Sequence, residues 1–595
     1  MMRQTKARIP ATALLAAALV GAGAPLPLAA AQPIIPPSRT TDWSKAGVPG
    51  GIPRDRTKLI DVTKPPYSAD KTGATDAQPA IARAIAGAAN GEVVYLPAGT
   101  YRVNKGIRTG GKRITIRGAG PTRTILQAHN RVYSVVDLGL AGGADYLWKR
   151  PNLAITGSPS RGAAVLTVGD TKALDAYPKG GVGQIGRVGL KNDPSLPVVA
   201  PGHWEYLRHQ TCRLVARTKT TVTVSPPLMF DLPASLAPKL AVAARHAEFA
   251  GIEDLTIDAT HCSAPHPAVG MGQCYGCWMK NVHVLNVPNY HVGVSDSVQC
   301  EIRHCRLARR KGAGSNGAGV LFGASTRCLV ADNIITHQFP HIEVNSGSTG
   351  NVFAYNYCYD SSIQGVIGVS ICSNHGGHNS FNLYEGNVAA KFQSDGYHGS
   401  ASHDTAFRNW FHGTCDKTDK FGICVYLNRF TRHYAIVGNV LGRKGYTYRY
   451  DNADNGFGYE DRYIYALGLP NIGNGGFSGY AQPSKGTYWK DWKKMLASAP
   501  GKGPGPGGFQ ELDRDVKATT LRKGNYNYHH RAVPPSESLA GATLPKSLYL
   551  AKKPSWFGDL PWPAFGPDTD FEKNKIPAQV RYEKTTPRAD PTRRN

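Results

Sequence analysis

FAYNY (residues 353–357) and LYEGNV (383–388) each place an asparagine near the end of an apolar or aromatic stretch. The same pattern recurs in NVHVLNV (281–287), VADNII (330–335), FRNWF (407–411) and IVGNVL (436–441). The asparagines are Asn286, Asn333, Asn356, Asn387, Asn409 and Asn439, and the last five follow one another at spacings of 23, 31, 22 and 30 residues. Spacings of this size are typical of repeat proteins, in which each repeat stacks on the next.

The repeats consist of strand-like segments. Residues 250–470 are rich in Val, Ile, Tyr and Thr and show no long helical period. EIRHCRL (301–307) supplies one more repeat, with Cys305 at the asparagine position. A strand-only repeat of this length predicts a parallel β-helix, whose coils pair their backbones about 4.8 Å apart. Asparagines stacked at a tight turn hydrogen-bond along the stack, so we assign them to structure rather than to chemistry.

A helical segment precedes the repeats. In TDAQPAIARAIAGAANGEVVYLPAGTYRV (75–103) the Ala and Ile residues follow a helical period over roughly three turns. Gly91 ends that helix, and a strand and the turn Pro97-Ala98-Gly99 follow. Because an open β-helix end exposes unpaired strands and apolar core, we expect the helix to cap it.

Three further parts complete the organisation. Residues 1–31 have a basic start, an apolar run and small residues before Gln32, which predicts a signal peptide. A β-rich insertion near 140–250 interrupts the β-helix domain, which we place at 32–470. Residues 471–595, with PGKGPGPGGF at 500–509, predict a Gly/Pro-rich loop and an extended tail that packs on the solenoid.

The charge of the chain suggests its partner. Its 595 residues carry a formal net charge of +27 and a pI of about 9.6, which favours a polyanion. No helix-turn-helix, zinc-finger or RNA-binding signature is present, so acidic polysaccharide is favoured over nucleic acid. Beyond the signal peptide no stretch approaches the ~18 apolar residues of a membrane span. We therefore expect a secreted or periplasmic monomer that binds neither nucleic acid nor membrane.

The eleven cysteines make disulfides an expectation for an exported chain. Cys358 with Cys372 and Cys415 with Cys424 are candidate pairs because they lie close in sequence. The CYGC motif at 274–277 lacks a second CxxC or HxxxH at zinc-site distance, which favours burial or a disulfide over zinc.

Segment 75–103, followed by ITIRGAGPTRTIL (114–126), resembles the N-terminal signature of the pectate-lyase-like superfamily of right-handed parallel β-helix proteins. WSKAGVPGGIP (43–53) and LYLAKKPSWFG (548–558) are similar to exported bacterial proteins of this class. The superfamily includes polysaccharide lyases, glycoside hydrolases, uronan epimerases and phage depolymerases, so the resemblance implies a carbohydrate substrate without fixing the reaction. The hydrolase motifs NTD, DD, GHG and RIK, the epimerase DPHD and the WiDH-type segment of pectate lyases are missing. No family residue is therefore carried over.

The asparagine column gives a ruler for a site, because equal offsets from it should lie on one face of stacked coils. Eight residues after successive asparagines come His341, Gln364, Asp395 and Lys417, and Glu343, Tyr397 and His398 lie within three more positions. We expect these side chains to converge on the groove side of the middle coils. His375 and His378 lie between glycines just upstream and are candidate substrate-binding residues.

Two reactions could use this cluster. A lyase acting on a uronic acid needs a base, an acid and a cation, for which His398, Tyr397 and one of Lys417, Arg429 and Arg449 are the candidates. A hydrolase needs two carboxylates, which Asp395 with Glu343 or Glu385 would provide. Arg408, directly before Asn409, suits either a groove cation or a structural ion pair.

The leading expectation is a polysaccharide lyase that acts by β-elimination, because cations neutralise uronates and steer polyanions. A glycoside hydrolase and a non-catalytic glycan-binding solenoid are the alternatives. His398, Asp395, Tyr397, His341 and Glu343 are the expected catalytic residues. The expected substrate-binding residues are Lys417, Arg429, Arg449, Gln364, His375, His378 and Arg408. No cofactor is required by this chemistry. Calcium is a possible cofactor because enzymes of this fold sometimes use it to bridge acidic sugars, but the sequence contains no Asp-rich run that would bind it.

Overall fold

A computed structural model describes most of the chain. Its described residues are 33–130, 134–139, 152–193, 196, 206–263, 267–311, 317–361, 369–395, 399–414, 422–452, 462–469 and 512–585. The expected signal peptide and the stretch 500–509 lie outside them. No helix among the described residues is both long and apolar enough to cross a membrane.

The chain winds into an all-β, right-handed parallel β-helix with three columns of strands, as predicted. Column A1 contains β1 (Leu59–Asp61), β3 (Val93–Leu96), β6 (Thr115–Gly118), the first parts of β16 (Gly251–Cys262) and β19 (Trp278–Leu285), β21 (Glu301–Arg303), β24 (Leu329–Ala331), β27 (Val352–Ala354), β30 (Leu383–Glu385), β34 (Thr405–Phe407), β38 (Ala435–Val437) and β42 (Leu521–Lys523).

Columns A2 and B complete each coil. Column A2 contains β2 (Thr72–Asp76), β4 (Gly99–Val103), β7 (Thr124–Asn130), the second parts of β16 and β19, β22 (Arg306–Ala308), β25 (Ile334–Gln338), β28 (Tyr357–Ser361), β31 (Val388–Ala389), β35 (Trp410–Phe411), β39 (Val440–Leu441) and β43 (Tyr526–Asn527). Column B contains β5 (Ile107–Arg108), β8 (Val136–Asp137), β17 (Val269–Gly272), β20 (Val292–Ser295), β23 (Val320–Gly323), β26 (Ile342–Asn345), β29 (Ile371–Asn374), β32 (Phe392–Ser394), β36 (Ile423–Asn428), β41 (Tyr463–Leu469) and β40 (Arg449–Asp451).

The asparagine column forms the corner between A1 and A2. The side-chain amide of each member donates to the amide oxygen of the next at 2.9 or 3.0 Å, through Asn333, Asn356, Asn387, Asn409, Asn439 and Asn525. Cys305 holds the same position one coil earlier, because its backbone N–H donates to Asn333 Oδ1 at 2.8 Å. Asn286 does not belong to the column. It lies at the end of β19 and donates to Asp258 and Thr260 instead.

A second ladder runs along the turn between columns B and A1. Asn351 donates to Asn382 Oδ1 at 2.9 Å, and Asn382 donates to Asp404 Oδ1 at 3.1 Å. Asp404 is fully buried there. Its carboxylate therefore serves the corner of a coil, since a buried amide needs an acceptor.

Helix α1 (Gln78–Gly87) lies within the segment for which the sequence predicts a capping helix. Its Ile81, Ala84 and Ile85 are buried and belong to the same apolar core as Leu96 and Tyr101 of the first coils. Among the described residues, helix α2 (Arg514–Thr519) precedes β42 of the last coil, and helix α3 (Pro577–Thr585) lies in the C-terminal tail. The 3₁₀ turns are Pro37–Arg39, Trp43–Lys45, Lys172–Ala176, Pro178–Gly181, Ala234–Leu236, Pro535–Glu537 and Ser555–Phe557.

The insertion is a six-stranded antiparallel sheet docked on the turns between columns B and A1. Its strands, in spatial order, are β10 (Val165–Thr167), β13 (Thr221–Ser225), β12 (Arg208–Arg217), β11 (Ile185–Leu190), β14 (Lys239–Val242) and β9 (Asn152–Ala154). Thr211 donates its backbone N–H to Thr326 Oγ1 at 3.2 Å, Arg187 pairs with Asp296, and Phe381 packs into the apolar core of the insertion. Two short pairs lie along the same turns, β15 (Ala247–Glu248) with β18 (Cys274–Tyr275) and β33 (Ala401–Ser402) with β37 (Thr431–Arg432).

Both ends of the described chain cover the outer face of columns A1 and A2. Trp43 from the N-terminal side and Phe557, Phe565 and Tyr582 from the C-terminal side belong to one apolar cluster with the outward side chains of these columns. Neither this cluster nor the core of the insertion includes a described residue of column B. Neither apolar cluster therefore extends onto column B, although the tail residue Glu537 accepts hydrogen bonds from Tyr450 of β40 and Tyr465 of β41.

The structure corrects the expected Cys358–Cys372 disulfide and agrees with the expected burial of the CYGC cysteines. Cys358 and Cys372 are both free thiols, buried on β28 and β29. Cys274 and Cys277 of the CYGC motif are also free and buried in the core. Burial of these apolar side chains explains them without a bridge. Cys415, the proposed partner of Cys424, lies outside the described residues.

Candidate functional site

The candidate site lies on the outer face of column B at strands β26, β29 and β32. Ile342 and Val344 of β26 point into the core, so Glu343 between them points outward. The strand register places Glu343 beside Cys372, and Cys372 beside Gln393. These side chains form one row across three parallel strands, with neighbours about 4.8 Å apart.

An ion pair stands beside this row. His375 follows β29 and Asp395 follows β32, and His375 Nδ1 lies 2.7 Å from Asp395 Oδ2. The backbone N–H of Asp395 donates to Asn374 O at 2.9 Å, which fixes the start of its loop. The two side chains meet because parallel neighbouring strands end at the same edge of the sheet.

The pair changes the protonation of His375. Burial alone would lower its pKa, but the Asp395 carboxylate, with a smaller contribution from Glu343, outweighs burial and raises the pKa to about 9. His375 is therefore an imidazolium at neutral pH. Its side chain keeps 32% of its exposure, whereas that of Asp395 keeps 14%.

Asp395 and Glu343 both lie beside Cys372. The Oδ2 atom of Asp395 reaches back over β29 to lie 3.6 Å from Cys372 Sγ, and Cys372 is the register partner of Glu343. Burial, followed by these two carboxylates, raises the pKa of the Cys372 thiol well above its usual value. Each carboxylate thus lies next to the same thiol, Glu343 through the strand register and Asp395 through its Oδ2 atom. Asn345 donates to Glu343 Oε1 at 2.8 Å and orients it.

Two of the predicted site residues serve the fold instead. His341 is fully buried, with one ring nitrogen 2.9 Å from Tyr359 O and the other 3.0 Å from Ser370 Oγ. Burial lowers its pKa to about 4. Arg408 is a structural ion-pair partner: its guanidinium binds both oxygens of Asp568 in the C-terminal tail at 2.7 and 2.8 Å. Neither side chain lies on the outer face of column B.

Arg429 and Arg449 come from strands beyond β32 in column B. Arg429 is buried after β36, with its guanidinium 5.0 Å from the centre of the Phe430 ring. Arg449 is exposed on β40, three strands beyond β32 and so roughly 14 Å away. Glu385, the alternative carboxylate, is fully buried in column A1, where it accepts hydrogen bonds from Tyr355 and the tail residue Leu548.

His378 lies on the far side of the loop that carries His375. Its Nδ1 atom is 3.1 Å from Ser400 Oγ, and its ring lines a cleft between the coils and the insertion. Gln364, Tyr397, His398 and Lys417 lie outside the described residues. The cluster that the structure brings together is therefore Glu343, His375 and Asp395.

Cys372 and Asn345 are members of this surface that the sequence did not reveal. They lie on strands whose register follows only from the winding of the coils. Across the described residues, no group of three or more His, Cys, Asp or Glu side chains is arranged to hold a metal ion.

Two solved structures with a similar chain path are phage tailspikes. The tailspike gp61 of Pseudomonas phage phi297 is 12% identical, with a TM-score of 0.48 over 65% of each chain. The tailspike gp49 of Pseudomonas phage LKA1 is 13% identical, with a TM-score of 0.44 over 64% of each chain. This chain thus spans about two thirds of the length of either tailspike.

A family model matches the N-terminal part of the sequence. No curated protein matches the sequence. Residues 62–158, which contain the cap helix and the first coils, match the family described as "Rhamnogalacturonase A/epimerase, pectate lyase-like". This match confirms the expected resemblance of the chain to the pectate-lyase-like superfamily of right-handed parallel β-helix proteins.

Proposed function

We propose that this protein is a carbohydrate-active enzyme that hydrolyses an acidic polysaccharide on the outer face of column B. The observation that carries the proposal is the position of Asp395 and Glu343, two carboxylates beside one thiol on the outer face of column B. Paired carboxylates on opposite sides of a glycosidic bond are what hydrolysis requires.

The roles follow from the partners of each carboxylate. Asp395 is held as an ion pair by His375, which suits it to activate water or to attack the anomeric carbon. Glu343, oriented by Asn345, is placed to donate a proton to the leaving oxygen. The glycosidic bond then breaks as water adds across it, and the proton released by water returns to the carboxylates.

His375 supports an acidic substrate. Its imidazolium stays charged up to about pH 9 and is the most exposed member of the cluster. A cation beside the reacting bond can bind the carboxylate of a uronic acid or a sulfate group. The formal charge of +27 favours the same polyanion at longer range.

β-Elimination is the second candidate, and the charge of His375 favours it. A uronate lyase must neutralise the carboxylate next to the proton that it removes, which an imidazolium can do. The base and acid expected for this reaction, His398 and Tyr397, lie outside the described residues. Hydrolysis ranks first because the described carboxylates supply both of its groups.

The two reactions leave different products. A panel of uronate-containing and sulfated polysaccharides, incubated with the protein, should yield new reducing ends without absorbance near 235 nm if hydrolysis is correct. Absorbance at that wavelength reports the unsaturated uronate of β-elimination and would replace the first candidate by the second. Absence of both signals across the panel, with binding retained, would point to a non-catalytic glycan-binding solenoid.

A further inference from the structure

A cleft of about 380 Å³ separates the insertion from the turns that connect columns B and A1. Its walls come from three parts of the chain: the N-terminal segment at Ser38, the insertion at Arg161, Arg208 and Phe230, and the coil turns at His378 and His403. The volume falls near the lower end of the range of about 300–1,000 Å³ that small-ligand sites occupy. One or two sugar rings are ligands of suitable size.

Aromatic rings and guanidinium groups line the cleft together. The ring of His403 stacks on Phe381 with 4.8 Å between centres. The Arg161 guanidinium lies 4.3 Å from the centre of the Phe381 ring, and that of Arg208 lies 4.8 Å from the centre of Phe230. Rings offer flat apolar surface to the C–H face of a sugar, and guanidinium groups offer donors to a carboxylate or sulfate.

Acidic side chains offset part of the positive charge of the cleft. Arg432 is neutralised by Asp513, which it binds at 2.8 and 3.0 Å. Arg161 donates to the carbonyl oxygens of Ser38 and Thr40, which carry no charge. The acidic side chain that lines the cleft is Asp231, which is exposed and accepts the backbone N–H of Arg161. Asp193 and Asp231 lie near Arg208 and offset part of its charge, and Asp231 does the same for Arg161. The two guanidinium groups remain donors that a carboxylate or sulfate can accept from.

A buried polar atom also points to a ligand. His378 is 8% exposed, and its Nδ1 atom lies 3.1 Å from Ser400 Oγ. Its Nε2 atom is buried and has no hydrogen-bond partner among the described residues. Burial, followed by the charge of Arg208, lowers the pKa of His378 to about 3, so the ring is neutral and its Nε2 can pair with a hydroxyl group. Buried polar atoms rarely remain unpaired.

We infer that the cleft is a binding site for one anionic sugar residue, whose carboxylate or sulfate contacts Arg208 and Arg161 and whose hydroxyl group contacts His378 Nε2. The inference deepens the proposed function, because it assigns a second contact for an acidic polysaccharide. Only Gly376 and Gly377 separate His375, at the cluster, from His378, at the cleft, so one polysaccharide chain can reach both.

Direct binding of small ligands tests this inference apart from catalysis. Calorimetric titrations would compare the methyl glycoside of a hexuronic acid, the matching neutral hexose glycoside and a sulfated hexose glycoside. Arg208→Gln removes the charge, and His378→Ala removes the unpaired nitrogen. Arg213→Gln is the matched control: it lies on the same strand, stacks on Tyr275 at 4.2 Å and pairs with Glu248 outside the cleft. Melting temperatures would show that each variant folds.

The wild type should bind at least one anionic glycoside about tenfold more tightly than the neutral one. Arg208→Gln should remove that preference, His378→Ala should weaken all three ligands, and Arg213→Gln should change nothing. Comparison of the uronate with the sulfated glycoside identifies which anion is preferred. Equal binding of neutral and anionic glycosides, unchanged binding by Arg208→Gln, or absence of binding would each overturn the inference.

The outcome is separable from the proposed function. Selective binding that both cleft variants weaken, together with no cleavage of any polysaccharide, would defeat the proposed hydrolysis and leave the cleft assignment standing. Cleavage that depends on Asp395, without binding of the glycosides, would support the proposed hydrolysis and overturn the cleft assignment.

Discussion

His375 and Asp395, which are 20 residues apart and follow neighbouring strands of column B, form an ion pair with 2.7 Å between Nδ1 and Oδ2. The pair lies where two consecutive coils end side by side, next to the outward carboxylate of Glu343. The ion pair forms only when the two coils stack, so the proposed active site depends on the winding of the chain.

The pair makes the charge of His375 depend on Asp395. In the wild type the pKa of His375 is about 9, and in Asp395→Asn burial should dominate and bring the pKa below the usual 6.5. Histidine ring resonances followed by NMR between pH 5 and 10 would measure both midpoints. A midpoint that Asp395→Asn leaves near 9 would show that another group holds the proton.

Glu385 should make stability depend on pH. Burial raises its pKa to about 7 despite hydrogen bonds to the tail and Tyr355. Between the unfolded value of about 4.5 and pH 7, the unfolded chain releases this proton and the folded chain keeps it, so its contribution falls as pH rises. Relative to Glu385→Gln, the wild type should lose up to about 3 kcal/mol of unfolding free energy between pH 4.5 and 7. Urea titrations at several pH values would measure the difference, and parallel curves would contradict it.

Replacement of Asn356 should destabilise the fold more than replacement of an asparagine outside the column. Its amide donates to Val330 O and Asn387 Oδ1, and its oxygen accepts from the side chain of Asn333. Asn356→Ala leaves buried groups unpaired and should cost about 3 kcal/mol. Asn286→Ala, outside the column, is the control and should cost about 1 kcal/mol. Chemical denaturation would compare them, and equal losses would argue against the ladder.

The packing of the C-terminal tail on the solenoid should depend on Asp568. Asp568→Asn would leave the buried Arg408 guanidinium without its carboxylate and should destabilise the packing of residues 544–585 by about 2 kcal/mol. Limited trypsin digestion should then cut the tail faster after Lys552, which is exposed. Asp570→Asn, which removes a surface pair with Lys573, is the control. Digestion at the wild-type rate would show that apolar contacts alone hold the tail.

The parallel β-helix was predictable because its corner needs the same side chain in every coil. An amide side chain both donates and accepts, so each asparagine can continue the hydrogen-bonded ladder to the next coil. The asparagines from Asn333 to Asn439 therefore recur in the sequence at repeat-like spacings. Asn286 was misassigned because β19 runs through the corner without a break. The end of its apolar stretch is therefore the end of column A2 and not the corner.

The site was only partly predictable, since loops of unequal length break the offset rule. After Asn333, the five-residue strand β25 and a short turn place His341 just before column B. After Asn387, the two-residue strand β31 lets the same offset reach Asp395, just beyond β32. The cleft was invisible in the sequence, because Arg161 and Arg208 come from an insertion whose docking no repeat records.

The rates of polysaccharide cleavage by Asp395→Asn and Glu343→Gln test the central claim most directly. On a polysaccharide that the wild type cleaves, release of reducing ends should fall by about 10²–10⁴-fold in each variant, because each removes a group that transfers a proton or attacks the sugar. Glu385→Gln, a buried glutamate in column A1, should keep the wild-type rate. Cleavage by Asp395→Asn and Glu343→Gln at the wild-type rate would contradict the account and place the active site elsewhere on the solenoid.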